Sequence, residues 1–478
     1  MSIGLGVDLA TAHARVVAVD HGGSVLAERD TSLPAVESPA EGAREQRPVY
    51  LETVTTLLGL VAADLGPRAA EVRGLSVTGT SGSMVPCDAR GGPTGAALLY
   101  NDQQSDAEAA RLRQAGIEAT ATSPMARIGH LVSVGADLVL HTPDVVHAGL
   151  LGQVAPADTS HALKAGIDPL LRTWNQDALA ALEVPVDAVP ELVHPGSVLG
   201  EVTSEMRELT GLPPGVLMVA GMTDGCTAQV AAGAVSRGDS VGVLGTTLVL
   251  KAVAGHEVRG SGGALYSHYA PDGSWWAGGA SNVGARPVSE EYGGTSTAAL
   301  TRLEREAAAV GPSPFVSYPL RGTGERFPFS RPGATGFTLG GPGDAATAYR
   351  TFLEGVAFVE RIALDTLRAH GVSPELHHLA GGGSRSELWS RLRATVLDVP
   401  VVRAHRASSA YGAALIALAA VEETPLPDLV ARTLPTDSQP LVEPLEDERD
   451  RLLESLHRLR DELGRRGLLD PVPEPRPV

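Results

Sequence analysis

The sequence predicts an α/β chain of two domains, and three observations carry that reading. The first 29 residues read as three short antiparallel strands, at 3–7, 14–20 and 24–29, with His21-Gly22-Gly23 as a hairpin turn. Further on, short apolar strand patterns alternate with stretches of helical periodicity. A strand–turn–strand unit like the opening one then returns around Gly245-Thr246-Thr247. A length of 478 residues suits two or three domains and leaves ample material for buried cores.

In chain order, Asp8–His13 is expected as a turn between the first two strands, and 31–47 as a loop rich in Pro, Ser and Glu. Residues 50–65 repeat apolar side chains at helical spacing. A strand at 74–77 runs into the polar turn Thr78–Ser83; short strands follow at 84–88 and 97–100. A helix ends near Ala115, with Gly116 as its stop. Residues 120–215 mix short helices with Pro and Gly breaks; 158–164 reads as a polar loop and 178–182 as part of a helix. A strand pair surrounds Pro271-Asp272-Gly273, and 278–282 reads as a turn before a helix. The Gly-, Pro- and Arg-rich stretch 311–343 is expected to be a long loop. Helices are predicted at 345–369, 386–398 and 409–421, and strands at 376–380 and 400–403. Leu445, Leu452, Leu456, Leu459 and Leu463 place a solvent-facing tail helix at the end.

Composition narrows the function classes. Hydrophobic residues at 43% and charged residues at 20% describe a globular, water-soluble chain. A formal net charge of -18 argues against general nucleic-acid binding, which needs cationic surface. No apolar run is long enough to span a bilayer, and MSIGLGVDLA lacks the basic start of a signal peptide. Two cysteines, Cys87 and Cys226, are too few for a disulfide framework, so the cytoplasm is the expected compartment.

The chemistry-bearing stretch is 216–251. Asp224 follows an apolar run and precedes small helix formers, which puts it at a helix N-terminus, where peptide dipoles favour a carboxylate. Such a group can take a proton from a hydroxyl. Gly245-Thr246-Thr247, about twenty residues on, offers N–H groups and hydroxyls to phosphate. Gly6–Thr11 with the strand after it resembles Val243–Thr247 with its own following strand. Two phosphate-gripping hairpins, or two unrelated hairpins sharing Gly and Thr, give the same pattern. Asp8 could orient Mg²⁺ through water, or simply form a turn. Gly381-Gly382-Gly383, between a strand and a helix, suits close approach of a nucleotide as well as a tight turn.

Rival motifs fail on context. Gly4-Leu5-Gly6 is followed by a strand, where a dinucleotide fingerprint needs a helix. No lysine follows a glycine, which excludes a Walker P-loop. Ser240 in Gly-Asp-Ser-Val-Gly opens a strand, where a nucleophile elbow needs a following helix. His377 and His378 are neighbours on a strand, face opposite ways, and read as structural.

Taken together, GVDLATAHAR, GTSGSMVPCDARG, LLYND, GMTDGCTAQ, VLGTTLVLK and AGGGSRSELW resemble, in order, the FGGY carbohydrate kinases of the actin/hexokinase-like superfamily. The likeness runs from residue 3 to about 420. Within the family, TGTSGSMVPCD with LLYND, SHALKAGIDP, LYSHY, WWAGGASN and YPLRGTGERFPF look most like the D-ribulose kinase branch; a xylulose kinase would more typically carry a Gly-Gln-Met-His-like stretch at 80–83. The resemblance implies two actin/hexokinase-like (ribonuclease H-like) α/β domains with a cleft between them. Residues 1–231 would be the sugar side, 232–430 the nucleotide side and 431–478 a helical tail.

It also implies roles. Asp224 would be the base on the sugar's terminal hydroxyl; Asp8 and Ser81 would contact the sugar, and Asp8 would hold Mg²⁺. Thr11, Gly245, Thr246, Thr247, Gly381, Gly382, Gly383 and Ser386 would receive ATP and its phosphates. The implied reaction is ATP-dependent phosphorylation of a ketopentose, D-ribulose first, with xylulose or another pentulose or polyol as the alternative acceptor. The implied partners are the sugar and ATP, and a homodimer is left open. Ala10 stands where the family has glycine, so a positive φ there would be strained; Ser386 stands where asparagine is common. A chaperone-like ATPase and a non-catalytic sugar- or ATP-binding regulator are the readings from other classes.

Overall fold

The computed structural model describes residues 2–260, 263–292, 297–341, 343–404, 406, 408–434 and 440–469. The chain divides into two compact units. The first holds Met1–Ala231, His268–Ser274 and Ala407–Thr436; the second holds Ala232–Ser267, Trp275–Arg406 and Asp437–Val478.

In the first unit, Ile3–Leu9, His13–Asp20 and Val25–Ser32 form an antiparallel meander. Ile3–Leu9 also pairs in parallel with Val72–Gly79, which pairs in parallel with Leu217–Val219. The second unit repeats this order. Asp239–Leu244 is antiparallel to Leu248–Ala254 and parallel to Leu376–Ala380. Outside these lie Trp275–Ser281, antiparallel to Leu248–Ala254, and Val401–Arg403, parallel to Leu376–Ala380. The likeness of the two hairpins therefore extends to whole sheets. Both units are α/β with helices packed on a mixed sheet, the layering expected when strands carry apolar faces on both sides.

Each sheet is covered by helices whose apolar stripes were readable. Tyr50–Leu65 buries Val54, Leu58 and Val61 over the meander of the first unit. Ala345–Ala369 buries Leu353, Val356 and Val359 in the second, together with Trp389 and Leu392 from Glu387–Leu397. An inserted sheet, Glu45–Gln46, Ala97–Leu98, Met84–Cys87 and Leu138–His141, and a cluster of short helices complete the first unit.

Several expectations are corrected. The helix Ser409–Val421, placed by sequence with the C-terminal domain, belongs to the first unit. It lies on the strand Ile3–Leu9 because Gly6 has no side chain: a Cβ there would stand 1.8 Å from the carbonyl oxygen of Ala410. The tail helix Arg449–Arg465 is not a solvent-facing appendage. Its Leu452, Leu456, Leu459 and Leu463 are buried in the core of the second unit, where each removes apolar area from water. Residues 311–343 contain the hairpin Val316–Glu325 and Arg331–Leu339 rather than a long loop. Residues 278–281 continue the strand Trp275–Ser281, with glycine at 278 because Leu250 O would lie 2.0 Å from a Cβ there. Residues 159–162 form one helical turn instead of a loop.

Candidate active site

The first unit brings Asp8 and Asp224 into one electrostatic site. Asp8 lies near the end of its strand, in register with Thr78 of the parallel neighbour. One residue further, Gly79 bridges in parallel to Thr223, and Asp224 then opens the helix Asp224–Ala232. Hydroxyls stitch these segments together: Thr78 donates to the carbonyl of Met222 at 2.6 Å, and Thr227 donates to the Thr78 hydroxyl at 3.1 Å. Both carboxylates thus come from the C-terminal ends of parallel strands, the usual ligand side of such sheets.

Burial, and then the charge of Asp224, push the Asp8 carboxyl up from 3.8 to about 7; Arg15 works weakly the other way. Asp8 as a whole is half-buried, but its Oδ1 is sealed from solvent and has no hydrogen-bond partner within the chain. The Ser81 hydroxyl is in the same position. A buried polar atom without a partner costs free energy, and a ligand that supplies the partner recovers it. Asp224 accepts from the amide of Gly225 at 2.6 Å through Oδ1. Among the described residues no group of three or more His, Cys, Asp or Glu side chains could hold a metal ion by itself. Magnesium commonly takes one or two carboxylates and fills its remaining positions with water and phosphate, so the orphaned Oδ1 of Asp8 fits it.

Three supports escaped the sequence reading. Arg127, fully buried, donates to the carbonyl oxygens of Gly82 at 2.5 Å and of Tyr100 and Asp102 at 3.2 Å. It ties the turn carrying Ser81 to the Leu98–Asp102 segment; burial, partly offset by Asp102, lowers its pKa to about 10. Gln46 donates to the carbonyl of Thr11 at 2.8 Å and is itself held by Tyr50. Asp158 and His161 form a buried pair at 2.6 Å beside Gly79. An Asp-x-x-His spacing at a helix N-cap was the available signal for that pair.

The second unit gathers the remaining predicted residues. Gly245 closes the turn by donating to the Thr247 carbonyl at 3.0 Å, leaving Thr246 exposed. Gly381 has φ +81° and sits so close to the preceding strand that a Cβ would meet Leu244 O at 2.6 Å. The glycine loop therefore lies directly against the strand that leads into Gly245–Thr247. Gly382–Arg385 forms a 3₁₀ turn, and a Cβ on Gly383 would meet the Leu244 side chain at 2.5 Å. Ser386 caps the helix Glu387–Leu397, accepting from the Trp389 amide at 3.0 Å and donating to Glu304 at 2.6 Å; its hydroxyl is thus engaged in the fold. Beneath the turn, Glu360 takes two bonds of 2.5 Å from Arg393 and faces His377 at 3.2 Å. His378 meets the Ala232 carbonyl instead, so the two histidines are structural and point apart. A 400 Å³ cavity in this unit, under the hairpin and lined by Tyr318, Phe337 and Tyr349, contains none of the predicted site residues, though Tyr318–Arg321 open the YPLRGTGERFPF stretch.

Ala10 is not strained. Among the described residues, the non-glycine ones with positive φ are Arg172, Glu183, Asp398 and Glu423; the first turn closes without the left-handed geometry that would demand glycine. No described helix is long and apolar enough to cross a membrane.

Comparison with known proteins agrees with this architecture. Residues 240–421 match the model for the C-terminal domain of the FGGY family of carbohydrate kinases. A xylulose kinase of Klebsiella pneumoniae is 26% identical over 458 residues, covering 88% of this chain and 90% of that protein. A ribulokinase of Shouchella clausii is 29% identical over 245 residues, covering 48% of this chain and 44% of its own. Among solved structures, a "xyloylose kinase" from Brucella ovis superposes with a TM-score of 0.85 at 23% identity, covering 98% of this chain and 100% of that one; at that identity the likeness speaks to the fold. With a duplicated sheet, a pair of aspartates in the first unit and these matches in hand, residues 240–421 carry the C-terminal domain of the FGGY family of carbohydrate kinases, and the chain over most of its length is similar to sugar kinases.

Proposed function

We propose that this kinase transfers the terminal phosphoryl group of ATP to the terminal hydroxyl of a pentulose, with D-ribulose as the favoured acceptor. The observation that carries the proposal is the Asp8–Asp224 pair, with Asp8 lifted by burial and then by the charge of Asp224; Asp8 Oδ1 and the Ser81 hydroxyl are both buried without a partner. Asp224 is the base for the acceptor hydroxyl. Asp8 and Ser81 position the sugar, and Asp8 would hold Mg²⁺, which when bound supplies positive charge to the phosphates. In the second unit, Thr246, Thr247 and the Gly381–Gly383 loop take the nucleotide, with Thr11 of the first unit as a further phosphate contact. Catalysis is then positioning and charge neutralisation, as phosphoryl transfer to an alcohol requires.

D-Ribulose is favoured by Thr80-Ser81-Gly82-Ser83 and the Tyr100-containing segment tied to it by Arg127. D-Xylulose is the second reading, because relatives matched over most of the chain are xylulose kinases. Measuring ADP release with D-ribulose, D-xylulose, L-ribulose and a set of polyols tests both. The proposal expects sugar-dependent turnover with D-ribulose foremost. ATP hydrolysis indifferent to every sugar would overturn the kinase assignment for a pentulose, and preference for D-xylulose would move the acceptor to the second reading.

A further inference from the structure

The single helical turn Thr159–Ala162 braces the acceptor site from behind on two sides. Ser160 Oγ accepts from the backbone amide of Thr223 at 3.2 Å, immediately before Asp224. The next residue, His161, reaches the carbonyl of Gly79 through Nε2 at 3.3 Å, immediately before the turn that carries Ser81. Gly79 and Thr223 are themselves bridged. One turn thus holds both segments that present the proposed sugar contacts.

His161 is wholly buried, and both ring nitrogens face acceptors: Nδ1 the Asp158 carboxylate at 2.6 Å, Nε2 the Gly79 carbonyl. A neutral imidazole has one N–H and can satisfy only one of them; an imidazolium satisfies both. Asp158 is held in place by the amide of His161, which donates to its other oxygen at 2.8 Å. We propose that His161 is a positioning residue for the acceptor sugar, a buried imidazolium that locks the Gly79 carbonyl, and with it the 80–83 turn, while placing a positive charge behind the Asp224 end of the site. This rests on the pentulose-kinase reading for its substrate, but the charge state of the ring does not.

The groups facing His161 agree with it. Besides Asp158 on its own turn, Asp144 from the helix Thr142–Leu151 and Asp224 from its helix act on the ring, and the His141 ring lies 6.0 Å away. Burial opposes the charge, but the three carboxylates outweigh it and raise the pKa of His161. Asp144 is occupied elsewhere, held between His141 and His147, which leaves the His161 ring to Asp158 and Gly79.

Two measurements test the proposal. In the full chain labelled with ¹⁵N at histidine, one ring should remain protonated on both nitrogens at about pH 8, well above the ordinary histidine range. The Asp158→Asn variant should lose that signal, which assigns it. In steady-state kinetics, His161→Gln should raise KM for the ketose about tenfold, roughly the worth of one hydrogen bond to a charged group, while KM for ATP stays within about twofold. A spectrum with no doubly protonated ring at about pH 8 overturns the proposal, and does so even if both variants fail to fold. A folded His161→Gln chain with unchanged ketose KM, or with both KM values raised alike, also overturns it. If wild type phosphorylates no pentulose, the functional reading fails first, and the ring's protonation is still decided by the spectrum.

Discussion

Replacing Asp8 with asparagine should change stability in a way that depends on pH. Burial and the Asp224 charge raise Asp8 from 3.8 to about 7 in the fold. A carboxyl whose folded pKa is raised is most compatible with the fold when protonated. Its stabilising contribution is therefore complete below the unfolded pKa and is lost as pH rises through the folded one, from about 4 to about 7. At about 1.4 kcal/mol per pH unit, wild type should lose about 3 kcal/mol relative to Asp8→Asn between about pH 5 and about pH 8. The absolute cost of burying an amide at position 8 cancels in that difference, because the amide does not titrate. Urea unfolding of both chains at the two pH values, with chelator present, measures it. A stability difference that is the same at both pH values would refute the claim that Asp8 is buried against another negative charge. The variant should also lack phosphotransfer.

The other expected outcomes concern the frame around the site. Glu360→Gln breaks the fully buried pair with Arg393, which also donates to the Gly242 carbonyl, and should cost about 3 to 5 kcal/mol in chemical denaturation. Despite burial, Arg393 and His377 hold the Glu360 carboxyl down at about 2, so this contribution is present above the ordinary glutamate pKa and is lost as pH falls toward about 2. Gly412→Ala would put a Cβ 1.8 Å from the carbonyl oxygen of Thr227. It should push the Ser409–Val421 helix off the Asp224 helix, lowering stability by about 3 kcal/mol and turnover with it. Leu456→Ala should cost about 2 to 5 kcal/mol, because that leucine is 2% exposed in the core of the second unit; an unchanged unfolding midpoint would return the tail helix to the solvent.

Long elements with strong periodicity were legible in the sequence. The apolar spacing in Tyr50–Leu65 and Ala345–Ala369 marks their buried faces directly, and short stretches with apolar residues, flanked by turn residues, mark Ile3–Leu9 and Leu376–Ala380. The hairpin at 316–339 was not legible, because its Gly, Pro and Arg content is that of a loop. Its glycine at 336 is required by close backbone approach, with Leu320 O 2.3 Å from where a Cβ would sit. Helix placement was hidden for a related reason. That Ser409–Val421 lies on the first sheet is written in Gly4, Gly6 and Gly74, whose missing side chains admit its backbone, and a glycine in a strand states that something comes close without saying what.

The same contrast holds at the site. Asp224 was visible because helix starts have a local signature, and Asp8 because it ends an apolar strand. Arg127 and His161 act on Gly82 and Gly79 from 45 and 82 residues away, and no local pattern announces a partner at that distance.

Phosphotransfer as proposed depends on Asp224 taking the proton from the acceptor hydroxyl. Its most direct test is single-turnover phosphotransfer from ATP to D-ribulose by Asp224→Asn, run beside nucleotide and sugar binding by calorimetry. The rate should fall by at least about a hundredfold, with ATP binding retained and the chain folded. Phosphotransfer at close to the wild-type rate in that variant would contradict it.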